Sequence, residues 1–178
     1  MTLAHAPIVG VEGFYGGLLH PLLVPAHAMA TLALGLLIGQ RAGAVRAALS
    51  AVFAFGLVAG LVAIAFGTAE TAAGDVALGA AGLSGLLVAL ARPHPVIVGG
   101  LAAATGLAIG LDSPPEVISV RIATVMLIGT GLGGVILLAL IVEAVRALRR
   151  DWHRIAMRVV GSWIAASAIL VLALRFAS

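Results

Sequence analysis

Two histidines, His20 and His27, lie in a stretch of the chain that is apolar enough to cross a bilayer. They are seven positions apart, close to two helical turns, so they share one face of any continuous helix. Polar side chains at that depth are costly and usually face a bundle interior, a cavity or a ligand. Neutral imidazole nitrogen is a common metal ligand, and an imidazole N–H can also donate to a backbone carbonyl. The pair therefore indicates either a ligand contact or a structural role.

Two prolines interrupt the same stretch. Pro21 and Pro25 have no backbone N–H, so in a regular helix the carbonyls four residues before them lose their donors. Membrane proteins tolerate such backbone only where protein or water satisfies it. Residues 13–40 are therefore predicted to form a kinked or broken helix with a polar notch beside the two imidazoles. Thr31 lies one turn after His27, on roughly the same face, and is predicted either to hydrogen-bond a carbonyl one turn back or to face this notch.

The composition is that of an integral membrane protein. The chain has 178 residues, of which 62% are hydrophobic and 10% charged, and the surface of a water-soluble domain needs far more charge. Cysteine is absent, which excludes disulfides, thiolate metal sites and cysteine nucleophiles. The sequence has no phosphate-binding glycine loop, serine elbow or carboxylate pair, so we expect that the protein is not an enzyme. The basic residues sit in short loops between the apolar segments, so we expect no nucleic-acid partner. Residues 1–178 are predicted to be a single all-α transmembrane domain.

Hydropathy divides the chain into six apolar segments, each near the roughly 20 residues that a bilayer requires. They cover about 14–39, 47–67, 72–91, 95–111, 118–142 and 156–174. Pairs of glycines four apart, such as Gly56 with Gly60 and Gly106 with Gly110, are typical of close helix packing. Trp163, within the last segment, is predicted to pack inside the bundle. The sequence thus predicts a polytopic bundle of six transmembrane helices.

Arginine marks alternate connections between these segments. The arginines concerned are Arg41, Arg46, Arg92, Arg146, Arg149, Arg150, Arg154 and Arg158. The positive-inside rule places these connections in the cytoplasm, with both termini outside the inner membrane of a bacterium. The cluster over residues 146–158 is predicted to contact anionic lipid head groups. Acidic residues gather in the other connections, where they either attract cations or merely reflect the exclusion of arginine.

A short internal repeat links the first and fourth segments. Residues 20–35 resemble residues 94–109, and both begin with His-Pro. The offset spans three segments, so a true duplication is a 3+3 inverted repeat, which in many transporters places a substrate site at the midplane. The alternative is a chance match between two segments of low complexity. If the repeat is real, Thr31 and Thr105 line a substrate path between the two segments, and His27 faces the fourth.

The motif around the histidines resembles the HupE/UreJ family of small bacterial membrane proteins. The resemblance rests on the His20-Pro21 pair, on His27 at the family's distance from it, and on the later run Leu34-Gly35-Leu36. It implies a six-helix membrane protein associated with the uptake of nickel or cobalt. Those ions are expected as substrates rather than as resident cofactors.

The chain departs from the family pattern at several positions. Val24 stands where the family has glycine, Ala26 where it has aspartate, and the fourth segment lacks the family's two histidines. Nickel and cobalt favour several imidazole and carboxylate ligands, so further oxygen ligands are expected beyond the fourth segment. The predicted metal ligands are His20, His27, Asp112 and Glu116.

Two other functional classes stay open at the level of sequence. Buried histidines can also ligate haem iron, so a haem-binding or redox membrane protein is one alternative. A non-transporting membrane scaffold that binds partner proteins is the other. The sequence leaves the oligomeric state open, including a homo-oligomer.

Overall fold

The computed structural model describes residues 13–68, 72–90, 93–115, 119–148 and 150–177. All regular structure in these ranges is helical, which confirms the predicted all-α class. The helices are α1 (Phe14–Leu23), α2 (Pro25–Gly39), α3 (Gly43–Ala65), α4 (Ala73–Leu90), α5 (Pro95–Leu111), α6 (Val120–Ala147) and α7 (Asp151–Ala177).

The number of membrane spans follows from helix length and hydropathy. In the described ranges α3, α4, α6 and α7 are each long and apolar enough to cross a membrane, and α1 with α2 makes a fifth span if the bent pair counts as one. Helix α5 is apolar but has 17 residues, at the short limit of what a crossing requires, so it is not counted among these spans. The six-span count and the inverted repeat therefore stay predictions.

The first span is broken, as its prolines predict. Helices α1 and α2 meet at 70°, and Val24 between them is in an extended conformation. The Val24 N–H donates to the carbonyl of His20 at 3.1 Å, which ends α1, and Pro25 then begins α2 at a position where no N–H donor is needed. The break thus lies between the two prolines, four residues after His20 and three before His27.

Glycine contacts bring the helices together in pairs. Gly60 of α3 faces Gly110 of α5, and a Cβ built on Gly110 would lie 2.6 Å from the carbonyl oxygen of Leu57. Gly129 and Gly133 of α6 meet the backbone of α1 in the same way. No side chain fits at these positions without separating the helices, so close backbone packing, rather than large side chains, holds the bundle.

Helix α2 lies at the centre of the molecule. It packs against each of the other six helices, and 11 of its 15 residues are buried. Helix α7 lies at the edge, and Trp163 on it is 74% exposed. The prediction that Trp163 packs inside the bundle is wrong, because the side of α7 that carries it is not covered by any other described helix.

The two ends of the bundle differ in their charged residues. Five arginines of the predicted cytoplasmic connections line one cavity, and we call this the arginine end. At the other end, Arg175 Nη1 near the end of α7 lies 2.6 Å from Asp75 Oδ1 in the first turn of α4. We call this the acidic end, since Asp112 also lies there, at the end of α5. The cytoplasmic placement of the arginine end and the outward termini stay predictions.

Candidate functional site

A buried histidine meets a carboxylate near the acidic end. His27 Nε2 lies 2.9 Å from Asp112 Oδ2, so the ring N–H donates and the carboxylate accepts. His27 is fully buried, whereas the Asp112 side chain is 30% exposed. The hydrogen bond joins the first turn of α2 to the residue that caps the end of α5. The predicted contact between the first and fourth segments is therefore confirmed, and His27 faces protein rather than lipid.

His20 lies beside His27 across the break in the first span. The centroids of the two rings are 5.3 Å apart, and the ring planes meet at 63°. His20, His27 and Asp112 thus follow one another in a series. In the part of the chain that the structure describes, no three histidine, aspartate or glutamate side chains are grouped closely enough to hold a metal ion. The series is therefore an open set of donors rather than a closed coordination sphere.

The second ring nitrogen of His27 has no hydrogen-bond partner among the described residues, although it is buried. Most buried polar atoms in native proteins are paired, and an unpaired one costs about 1–3 kcal/mol. With Nε2–H donating to Asp112, Nδ1 carries a lone pair. This nitrogen can therefore accept a hydrogen bond or bind a cation.

Three helices around the site each carry a buried hydroxyl group. Thr31 on α2, Ser84 on α4 and Thr105 on α5 have no hydrogen-bond partner for their side-chain oxygen within the described ranges. Thr130 on α6, by contrast, donates to the carbonyl one turn back at 3.1 Å, as threonine in helices commonly does. Helices α2, α4 and α5 pack against one another.

Gly74 leaves space for the Asp112 carboxylate. A Cβ built on Gly74, in the first turn of α4, would lie 3.1 Å from Asp112 Oδ2, closer than most side-chain contacts. Helix α4 therefore lies directly against the carboxylate. Sequence reasoning missed both Gly74 and Ser84, because they stand in a Gly/Ala-rich span where neither residue type is a signal.

Two other acidic residues bear on the predicted set of metal ligands. Glu116, the fourth predicted metal ligand, lies outside the described residues. Asp75, another acid at this end, is paired with Arg175 and contributes to helix packing between α4 and α7. Of the predicted ligands, the structure therefore brings together His20, His27 and Asp112.

Comparison with known proteins assigns the family. The family model described as HupE / UreJ protein matches residues 1–171, which includes every helix up to most of α7. The chain belongs to the HupE/UreJ family. This is a family of transporter-type membrane proteins linked to nickel and cobalt uptake. No curated protein and no solved structure matches the chain significantly.

Proposed function

We propose that this HupE/UreJ protein is a membrane permease or binding protein for a divalent transition metal cation, with nickel or cobalt as the substrate. Membership of the family supports the substrate class. The hydrogen bond between the buried His27 and Asp112 is the observation that carries the proposal, because it joins an imidazole and a carboxylate, the two group types that these cations favour, near the acidic end of the bundle.

In this proposal Asp112 orients His27 and the metal binds to the opposite side of the ring. Metal-binding histidines commonly donate their second N–H to a carboxylate, which fixes the tautomer and makes the ligand nitrogen more basic. Here Nε2–H donates to Asp112, and the buried Nδ1 is the nitrogen that lacks a partner among the described residues. The unpaired Nδ1 thus becomes the ligand atom, and the His20 ring beside it supplies a second imidazole.

A site with few ligands suits the passage of a metal ion better than its storage. Conduction requires binding that is favourable enough to let an ion enter and weak enough to let it leave. Asp112, at the acidic end, attracts the cation first, and the hydroxyl groups of Thr31 and Thr105 offer it oxygen contacts between α2 and α5. The cation then moves between successive weak sites. No ATP-binding motif is present in the sequence, so we expect transport that is passive, ion-coupled or driven by a partner.

The test combines binding and uptake. Purified protein is titrated with Ni²⁺ and Co²⁺ by calorimetry, and its metal content is measured by elemental analysis. The variant His20→Ala with His27→Ala should lose binding. The control His153→Ala removes an imidazole at the arginine end and should bind as the natural protein does.

Three results decide against the proposal. It fails if the natural protein binds neither metal and cells that lack it accumulate both metals normally. A Soret absorption band in protein purified from its native host favours the haem alternative. Unchanged cellular function in the double histidine variant favours a scaffold.

A further inference from the structure

The arginine end contains a second site candidate, at the opposite end of α2 from His27. A cavity of about 650 Å³ lies between the connection from α2 to α3, the end of α4, the end of α6 and the start of α7. This volume falls in the range of small-molecule sites, about 300–1,000 Å³. The arginines that line it are Arg41, Arg46, Arg146, Arg154 and Arg158.

Little of this positive charge is neutralised by nearby carboxylates. Arg146 Nε lies 2.9 Å from Glu143 Oε2, one turn earlier on α6. Arg41 donates to the carbonyl of Pro93, and Arg46 donates to the carbonyl of Arg41 at 3.3 Å. These carbonyl contacts orient the two guanidinium groups but leave their charge in place.

The arginines of α7 are the most available. Arg154 and Arg158 are four residues apart, so they lie on one face of the helix, toward the cavity. Among the side chains that the structure describes, neither has a carboxylate within ion-pair distance. Two guanidinium groups therefore project into the same space with their donors unused by a described acid.

Part of the cavity lining is apolar. Leu37, Val88, Val145 and Met157 line it and are buried. A cavity lined by guanidinium groups and apolar side chains disfavours both a hydrated cation and a neutral sugar. It fits a compact anion, or an anionic head group whose apolar part lies against the protein.

Helix dipoles do not determine the charge preference here. Helices α2, α4 and α6 end at this side of the bundle, whereas α3, α5 and α7 begin there. The partial negative charge of three helix ends thus offsets the partial positive charge of three helix starts. The arginine side chains decide the sign, and the planar guanidinium fork matches the oxygens of phosphate in paired hydrogen bonds.

We propose that this cavity binds a phosphate-bearing anion, either the head group of an anionic lipid or a soluble phosphate compound. The proposal is independent of the metal substrate, since no residue of the His27–Asp112 site lines the cavity. It differs from a general attraction of the arginine cluster to lipid, because it names a defined space that also requires Arg41 and Arg46.

The experiment separates the two sources of phosphate. Protein purified in a neutral detergent is mixed with phosphatidylglycerol or phosphatidylcholine, and retained lipid is counted by native mass spectrometry. In a second arm, lipid-free protein is titrated with inorganic phosphate and pyrophosphate by calorimetry. Retention of phosphatidylglycerol but not of phosphatidylcholine identifies a lipid head group as the ligand. Binding of phosphate or pyrophosphate identifies a soluble anion. Either result supports the proposal.

Matched variants locate the binding. Arg154→Gln with Arg158→Gln should weaken binding by about tenfold or more, because each removes charge-assisted hydrogen bonds to phosphate. Arg121→Gln with Arg175→Gln removes the same charge from exposed positions at the other end of the bundle, which do not line the cavity, and should leave binding unchanged. If the α7 double variant does not fold, as judged by gel filtration and circular dichroism, Arg46→Gln replaces it. The proposal is overturned if the natural protein binds none of the phosphate compounds, or if cavity and control variants weaken binding equally.

Discussion

The contact between Gly60 and Gly110 leads to a prediction that links packing to the metal site. In Gly110→Ala the new Cβ would lie 2.6 Å from the Leu57 carbonyl oxygen, 2.7 Å from the Leu61 nitrogen and 2.8 Å from the Gly60 Cα. All three are backbone atoms of α3, so no side-chain rotation relieves the overlap. Helices α3 and α5 must therefore move apart by about 0.8 Å to bring the shortest contact to 3.4 Å.

The expected loss of stability follows from this overlap. Forcing an extra carbon into a packed interface typically costs about 1–3 kcal/mol. For a protein of this size, 1 kcal/mol shifts the melting temperature by about 2–4 °C, so Gly110→Ala should melt about 2–12 °C lower than the natural protein. Gly100→Ala on the same helix is the matched control. No atom lies within 4 Å of its new Cβ, and alanine favours a helix over glycine, so its melting temperature should stay the same or rise.

The same change should reach the metal site. Gly110 precedes Asp112 by two residues, so a shift of α5 by about 0.8 Å moves the carboxylate that His27 contacts at 2.9 Å and is expected to weaken that hydrogen bond. Gly110→Ala should therefore also bind nickel more weakly, whereas Gly100→Ala should bind it normally.

Thermal unfolding followed by tryptophan fluorescence in one detergent measures the stability, and calorimetry measures metal affinity. The reasoning is refuted if Gly110→Ala and Gly100→Ala melt at the same temperature. Loss of metal binding in both variants would instead refute the link between the α3–α5 contact and the site.

Four further predictions concern other parts of the molecule. In a double-mutant cycle on metal affinity, His27→Ala and Asp112→Ala should be non-additive, with a coupling of about 0.5–3 kcal/mol, because each removes the same hydrogen bond; additive effects would contradict it. Arg175→Ala should lower the unfolding free energy by less than about 1 kcal/mol, since its ion pair is exposed; a large drop in melting temperature would show otherwise. Brominated lipids should quench Trp163, which is 74% exposed; fluorescence unaffected by them would place it against protein. A periplasmic reporter fused after Ser178 should be active, whereas activity of a cytoplasmic reporter there would reverse the predicted topology.

The helices could be predicted from the sequence because apolar runs are bounded by charged connections. The fourth segment agrees with α5 at both ends, and the first with the outer limits of α1 and α2. Helices α6 and α7 extend past the predicted segments, since a helix continues into the polar residues at the membrane surface, as Arg146 on α6 illustrates. Hydropathy measures the apolar core of a span and is insensitive to these polar ends.

The relation between His27 and Asp112 could not be predicted in the same way. Both residues stood out by type, but they are 85 positions apart, and the sequence indicated two separate ligands rather than a hydrogen-bonded pair. Their register depends on the 70° bend of the first span and on the glycine contacts that place α5. Neither quantity can be read from composition or spacing. The role of Gly74 is hidden for the same reason, because its importance lies in a side chain that it lacks.

The break in the first span does more than redirect the chain. Asp112 caps the end of α5, where the partial negative charge of the helix end opposes a carboxylate. It also lies beside the first turns of two helices, α2 through His27 and α4 through Gly74, and a helix start carries partial positive charge. The start of α2 exists inside the bundle only because the span breaks at Val24. A continuous helix over residues 14–39 would offer no helix start at this point. The same break therefore brings His27 to Asp112 and supplies a positive helix end that favours a negative charge there, next to the nitrogen that we propose binds the cation.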